Sequence, residues 1–227
     1  SSRIARAQPI YFCLGRSSSH TAMNELLTLR VTLREEIDRF AAMKPNPVSL
    51  QEVMNMSEQP ARIAKFVCNE VQVRYAERIR RLEALPDWFN IPDVVDVHER
   101  HVKTFKDMRL FSEVIRDAEQ SDSSDFLDEF LRLVVEAAQS QQNVQLLLAR
   151  AMYSLLHEPT SGITQTFMDQ FLDDFLLSWI GTGMLLGHCA ACGYGRATGV
   201  IDPNCDVSKL CEDVAKRVGG VCLDFYR

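Results

Sequence analysis

Glycine and proline are scarce in this chain of 227 residues, at ten and eight. They are also widely spaced, which excludes an all-β sandwich built from many short strands and tight turns. No internal repeat or low-complexity tract occurs, so solenoids and fibres are excluded too. No basic block is long enough to track a phosphate backbone. Lys+Arg 25 against Asp+Glu 31 gives a net charge of -6, so nucleic acid is not expected as a partner. The longest apolar run, Phe175 to Gly187, is shorter than the roughly 18 to 20 residues that span hydrocarbon, which predicts a buried helix and no membrane span. Gly181-Thr182-Gly183 and Gly193-Tyr194-Gly195 are isolated glycine pairs without the Lys-Ser/Thr of a phosphate loop. No serine sits in a nucleophile elbow, and no complete active site can be read from the chain.

What is present is a globular composition, 46% apolar and 25% charged, with apolar residues at helical spacing. The spacing predicts an amphipathic helix from Met23 to Met43, stopped by Pro45 and Pro47, and a short helix from Leu50 to Met56 with Ser49 as N-cap. A longer helix begins at Pro60 and carries Ile63, Phe66, Val67, Val71, Tyr75, Ile79 and Leu82 before Leu85-Pro86 ends it. Val94 to Val114 is a further helix, with Val94, Val97, His101, Phe105, Met108 and either Leu110 or Phe111 inward. Phe126 to His157 reads as one helix whose apolar stripe is interrupted by Gln141, a side chain that needs a partner. Thr164 to about Ala191 reads as the last long helix, with Phe167, Phe171, Phe175, Ile180 and Met184 inward. Long helices joined by short turns predict an all-α fold, an antiparallel four-helix bundle with extra N-terminal helices. After Cys192 the texture changes, and a shorter helix from Asp206 to Val218 ends at Gly219-Gly220.

The division expected is 1–22 as a leader, 23–192 as the helical bundle, and 193–227 as the start of a second unit. The leader reading rests on Arg3, Arg6, Arg16, the run Ser17-Ser18-Ser19 and the lack of any acid before Glu25, a pattern of mitochondrial transit peptides. Seven cysteines, an odd number scattered through helical segments, indicate free thiols in a reducing compartment. His188, Cys189 and Cys192, with Cys205, have the donor types of a zinc site. The Ala190-Ala191 spacer at a helix end lacks the turn residues of a zinc knuckle, so buried free thiols are the preferred reading and no metal is expected. His98 and His101, three apart, lack the spacing of a zincin helix and read as packed histidines. Val48, Val53, Met54 and Met56, after the proline elbow, form an apolar surface that a short helix cannot bury alone. With Phe66 they are a candidate pocket for a flexible apolar group, the alternative being ordinary core contact.

Four stretches resemble the N-terminal half of the mitochondrial α-ketoacid dehydrogenase kinases, which phosphorylate and inactivate pyruvate or branched-chain ketoacid dehydrogenase. They are Pro45 to Leu50, Glu70 to Ala76 with Leu85-Pro86 following, Phe171 to Phe175 with Leu177-Ser178 and Met184-Leu185, and Ile201 to Ser208. The resemblance implies a helical regulatory bundle followed by an ATP-binding domain, of which this chain holds only the first helix. ATP and Mg are therefore expected only with that further domain, and no cofactor is expected in this chain. The resemblance also implies a mitochondrial matrix location, the dehydrogenase α subunit as substrate, and a pocket for the lipoyl-lysine arm of the acyltransferase core. The positions matching that pocket are Val48, Val53, Met56 and Phe66.

The departures concern chemistry. Gln141 stands where the family has a histidine that assists the catalytic glutamate, and an amide cannot transfer that proton, so no catalytic residue is expected here. Ala138, Trp179 and Gly183 stand where the family lines an internal anion pocket with arginines, so the resemblance implies loss of pyruvate and dichloroacetate binding. Arg74 and Pro86 match the family, but Gln72 replaces a proline. Two functions remain open: the lipoyl-docking regulatory domain of a dehydrogenase kinase, or a non-catalytic helical scaffold or adaptor.

Overall fold

The structure, a computed structural model, describes residues 32–57, 59–121, 126–158, 161–194 and 199–225. The leader assigned to 1–22 lies outside the described residues, as does the first part of the helix expected from Met23. The described residues form helices and no strand. They are α1 (32–41), α2 (Leu50–Ser57), α3 (Pro60–Glu83), α4 (Pro92–Ser121), α5 (Leu127–Ser140), α6 (Val144–His157), α7 (Gln165–Gly193) and α8 (Val207–Phe225), with a 3-10 turn at Trp88–Asn90.

Local chemistry sets the boundaries. Ser49 and Glu52 form a reciprocal capping box at α2: the Ser49 N–H and hydroxyl each donate to Glu52 Oε2 at 2.8 Å, and Glu52 N–H donates back to Ser49 Oγ at 3.3 Å. Pro60 starts α3, where a missing N–H costs nothing. The Thr164 side chain caps α7 by accepting from Phe167 N–H at 3.2 Å.

α3 pairs extensively with α4, α7 packs on α3 and α5, and α4 also meets α5 and α6. The four walls of the bundle are therefore α3, α4, α5 with α6, and α7. Its interior holds two apolar clusters. One gathers Val67, Val71, Phe105, Met108, Phe130, Val134 and Leu186, with Val53 and Met56 of α2. The other gathers Leu82, Val94, Val97, Val144, Leu148, Phe171 and Phe175. Between them every wall contributes a buried polar side chain: Arg78, His101, Gln141 and Thr182.

Three expectations are corrected. The helix expected over Phe126 to His157 is two helices, because Asn143 adopts a left-handed conformation (φ 63°) and interrupts the ladder after Gln141. On α7, Phe171 and Phe175 are buried as expected, but Phe167, Ile180 and Met184 are 43–53% exposed. From Phe175 the helical period leads instead to Thr182, Leu186 and Cys189, and Leu177, Ile180 and Met184 form a second apolar stripe outside. α7 is long and apolar enough to cross a membrane by length and composition, but it carries Asp169, Asp173 and Asp174 and packs within the bundle. Finally, α8 continues through Gly219-Gly220, since glycine weakens a helix without removing its N–H as proline would. The exposed side chains of α8 include Val207, Leu210, Val214, Val218 and Leu223.

Replacing Asn143 with alanine should cost about 1 kcal/mol, since a Cβ without a polar tip is disfavoured at positive φ, and replacement with glycine should cost nothing. Urea unfolding of the two variants checks this; equal stability of both would remove the left-handed residue as the cause of the break.

Candidate functional site

The elbow before α2 is anchored to α3 through Glu70, a carboxylate with no exposed surface. It accepts from Asn46 N–H at 3.1 Å and from Asn46 Nδ2 at 2.6 Å, and lies 3.4 Å from Arg74 Nε. Burying this charge is tolerable only because those donors and the guanidinium satisfy it. The anchor holds α2 against the bundle so that Val48, Val53 and Phe66 face one cavity of about 190 Å³. Leu50, Met184, Leu185, Val200 and Ile201 complete its apolar lining, and Asn46, Arg74 and His188 supply its polar edge.

Three of the four pocket residues singled out from sequence therefore meet. Met56 does not line the cavity; it is 8% exposed and packs into the first core cluster. Met56, three after Val53, shares the inward face of α2 but packs with the core one turn further along, beyond the cavity wall.

Sequence reasoning missed two parts of this cavity. Arg74 Nη1 occupies the space over Gly181, where any Cβ would lie 3.1 Å from it. His188, 2% exposed, accepts from Val200 N–H at 3.4 Å through Nδ1, and its Nε2 is 3.7 Å from Cys192 Sγ. Burial holds its pKa below the ordinary histidine value, while a hydrogen bond to the Val53 backbone opposes this. Gly199 (φ 60°) presses so closely on the ring that a Cβ there would lie 2.2 Å from Nδ1. The signal available was the helical register of His188 on the inward stripe of α7.

A second, wider cleft of about 730 Å³ lies beside the α5–α6 break. Ala138, Gln141, Trp179 and Gly183 line it together, and no acidic or basic side chain is among its lining residues. Gln141, 6% exposed, has a partner for its carbonyl, since Arg78 Nη1 donates to Oε1 at 3.4 Å, while its Nε2 is buried with no partner among the described residues. Arg78 has no exposed surface. It also donates from Nη2 to Thr182 Oγ1 at 3.4 Å and from Nε to the Arg74 carbonyl at 3.3 Å, and its guanidinium lies 4.3 Å from the Tyr75 ring centre. No carboxylate pairs with it among the described residues. Burial holds its pKa below the ordinary arginine value, as expected for a desolvated cation. Arg78 was not picked out from sequence, although its place in the series Val71, Tyr75, Arg78 and Leu82 puts it on the buried stripe of α3.

The histidines are packed groups. His101 is 1% exposed, donates from Nδ1 to Val97 O at 2.7 Å, and its ring lies tilted against Tyr75. His98 meets Glu83 at 3.0 Å and Trp88 at 4.4 Å between ring centres. The described cysteines are all free. Cys68 and Cys189 are buried, and burial pushes the Cys68 thiol up to about 12 and the Cys189 thiol higher still. Among the described residues no group of three or more His, Cys, Asp and Glu is placed to hold a metal ion.

The fold and the site together define a helical-bundle domain with an apolar cavity under a short capped helix. Residues 47–198, from the elbow through the end of α7, match the family model for the mitochondrial branched-chain alpha-ketoacid dehydrogenase kinase, and the chain belongs to that family. Its relatives include the mouse mitochondrial [pyruvate dehydrogenase (acetyl-transferring)] kinase isozyme 4, 25% identical over 84% of this chain and 48% of that protein. The mitochondrial [pyruvate dehydrogenase (acetyl-transferring)] kinase of Arabidopsis thaliana is 31% identical over 69% of this chain and 42% of that protein. The Drosophila melanogaster counterpart is 22% identical over 86% and 49%. The chain spans about half the length of these relatives.

Burial and the nearby Arg78 charge hold the His101 pKa well below its ordinary value. As pH falls below about 6.5, the unfolded chain therefore takes up a proton that the folded chain refuses, and stability falls by up to about 1.4 kcal/mol per pH unit. Substituting His101→Gln should flatten that part of the stability profile; urea midpoints from pH 7.5 to 5.5 that fall equally steeply in both proteins would refute the assignment.

Proposed function

We propose that this chain is the helical regulatory domain of a mitochondrial-matrix protein serine kinase that phosphorylates and inactivates an α-ketoacid dehydrogenase, pyruvate or branched-chain. In this reading the domain docks the kinase on the lipoyl domains of the acyltransferase core and so brings it to the dehydrogenase α subunit. The observation that carries the reading is the convergence of Val48, Val53 and Phe66 on one apolar cavity beneath α2. An apolar arm such as a lipoyl group gains by leaving water for such a cavity, at roughly 25 cal/mol per Å² of apolar surface buried. Met56 supports the pocket from behind, as part of the core on which α2 rests.

ATP and Mg belong to a further domain, of which α8 is the first helix. Phosphoryl transfer is therefore assigned to the whole protein and not to this chain. A second reading, a non-catalytic scaffold that retains the fold, is favoured by Gln141, an amide held by Arg78 where the family resemblance places a proton-transferring histidine.

Calorimetric titration with lipoylated and unlipoylated lipoyl domains separates the two. Docking predicts binding that requires the lipoyl group and weakens at least tenfold in Val53→Asp and Phe66→Ala. No binding at high micromolar concentration by a folded chain would leave the scaffold reading.

A further inference from the structure

The cavity under α2 has walls of two kinds. Phe66, Met184 and Leu185 project from the long helices α3 and α7, whereas Val200 and Ile201 belong to the turn that follows α7. A wall made of a turn keeps its place only through specific contacts. His188 of α7 supplies one, since its Nδ1 accepts from Val200 N–H at 3.4 Å. Gly199, at φ 60°, lets the backbone close over the ring, where a Cβ would lie 2.2 Å from Nδ1. The same ring hydrogen-bonds the backbone of Val53, a cavity residue of α2. One imidazole therefore ties the α2 wall and the turn wall to α7.

A neutral imidazole has one acceptor nitrogen and one donor nitrogen. Because Nδ1 accepts from Val200, the single proton of the neutral ring is on Nε2. A second proton at Nδ1 would turn the acceptor into a donor and set it against the Val200 N–H, releasing the turn while the bond to Val53 survives. Burial opposes that proton, and the Val53 carbonyl favours it. Among the described residues, the titratable and charged groups about the ring are Cys192 on its own helix and Arg74 with its partner Glu70 on α3. Cys189 and the exposed Asp128 of α5 lie beside Cys192, and Glu52 of α2 is turned to Ser49.

We propose that His188 is the positioning residue of the cavity under α2: its neutral ring fastens the 199–201 turn as a wall for the apolar guest, and protonation at Nδ1 lets that wall go. This deepens the docking reading given above and rests on it. The guest needs the wall and the wall needs the neutral ring, so affinity falls as pH drops through the value at which the folded chain protonates His188, by up to about tenfold per pH unit.

Two readouts on the full chain test this. In NMR from pH 7.5 to 5, the Val200 amide and the Val200 and Ile201 methyl resonances should move with the same midpoint as the His188 ring nitrogens. His188→Asn, whose Oδ1 replaces Nδ1 as acceptor, should abolish that titration, and His188→Leu should speed exchange of the Val200 amide at least tenfold. In calorimetry with a lipoylated lipoyl domain, the parent's affinity should fall over this range at least threefold more than that of His188→Asn. His188→Leu and Gly199→Ala should bind weakly at every pH. A Val200 amide indifferent to the ring's titration, or equal pH profiles for the parent and His188→Asn, would overturn the positioning role and leave docking standing. Coupling of Val200 to the ring without binding of the lipoylated domain at any pH would support the fastening of the wall and sink the docking reading alone.

Discussion

The interior of this bundle is organised around a buried guanidinium that pairs with no carboxylate among the described residues. Arg78 is sealed from solvent, and its charge is met by an amide oxygen, a hydroxyl, a backbone carbonyl and the faces of Tyr75 and Phe175. Desolvating a cation is costly unless dipoles converge on it, so the residues around Arg78 are constrained to be polar and to point inward. Gln141 and Thr182 do so from two other walls, and His101 of α4 remains neutral beside the charge. The break between α5 and α6 follows directly after Gln141, where the chain turns at Asn143.

Beside the first core cluster Glu70 is consumed in anchoring the elbow, and the cavity under α2 keeps a largely apolar lining with Asn46, Arg74 and His188 at its edge. The wide cleft by Gln141 has no charged lining, although a cation lies directly behind it.

Much of this was legible in the sequence because helical spacing is a strong signal over long segments. The buried stripes of α3 and α4 follow the spacing of their apolar residues, and Ser49 is legible as a cap from its residue type just before the short helix. The errors arose where two stripes compete on one helix, as on α7, or where one residue leaves the helical region, as at Asn143. The resemblance places charge at the positions of Ala138, Trp179 and Gly183, where this chain has none. The structure supplies the cation from another helix. The contacts of Glu70 and His188 are not legible for a different reason: their partners, Asn46 and Val200, are distant in sequence or lie on loops that spacing does not describe.

The polar layer also has a consequence for how the core is divided. Arg78, His101, Gln141 and Thr182 lie between the two apolar clusters, which meet across the layer through the rings of Tyr75, His101 and Phe175. The end that carries α2 and its cavity therefore packs on a core of its own, distinct from the cluster around Leu148, Phe171 and Phe175 that keeps the far ends of the helices in register.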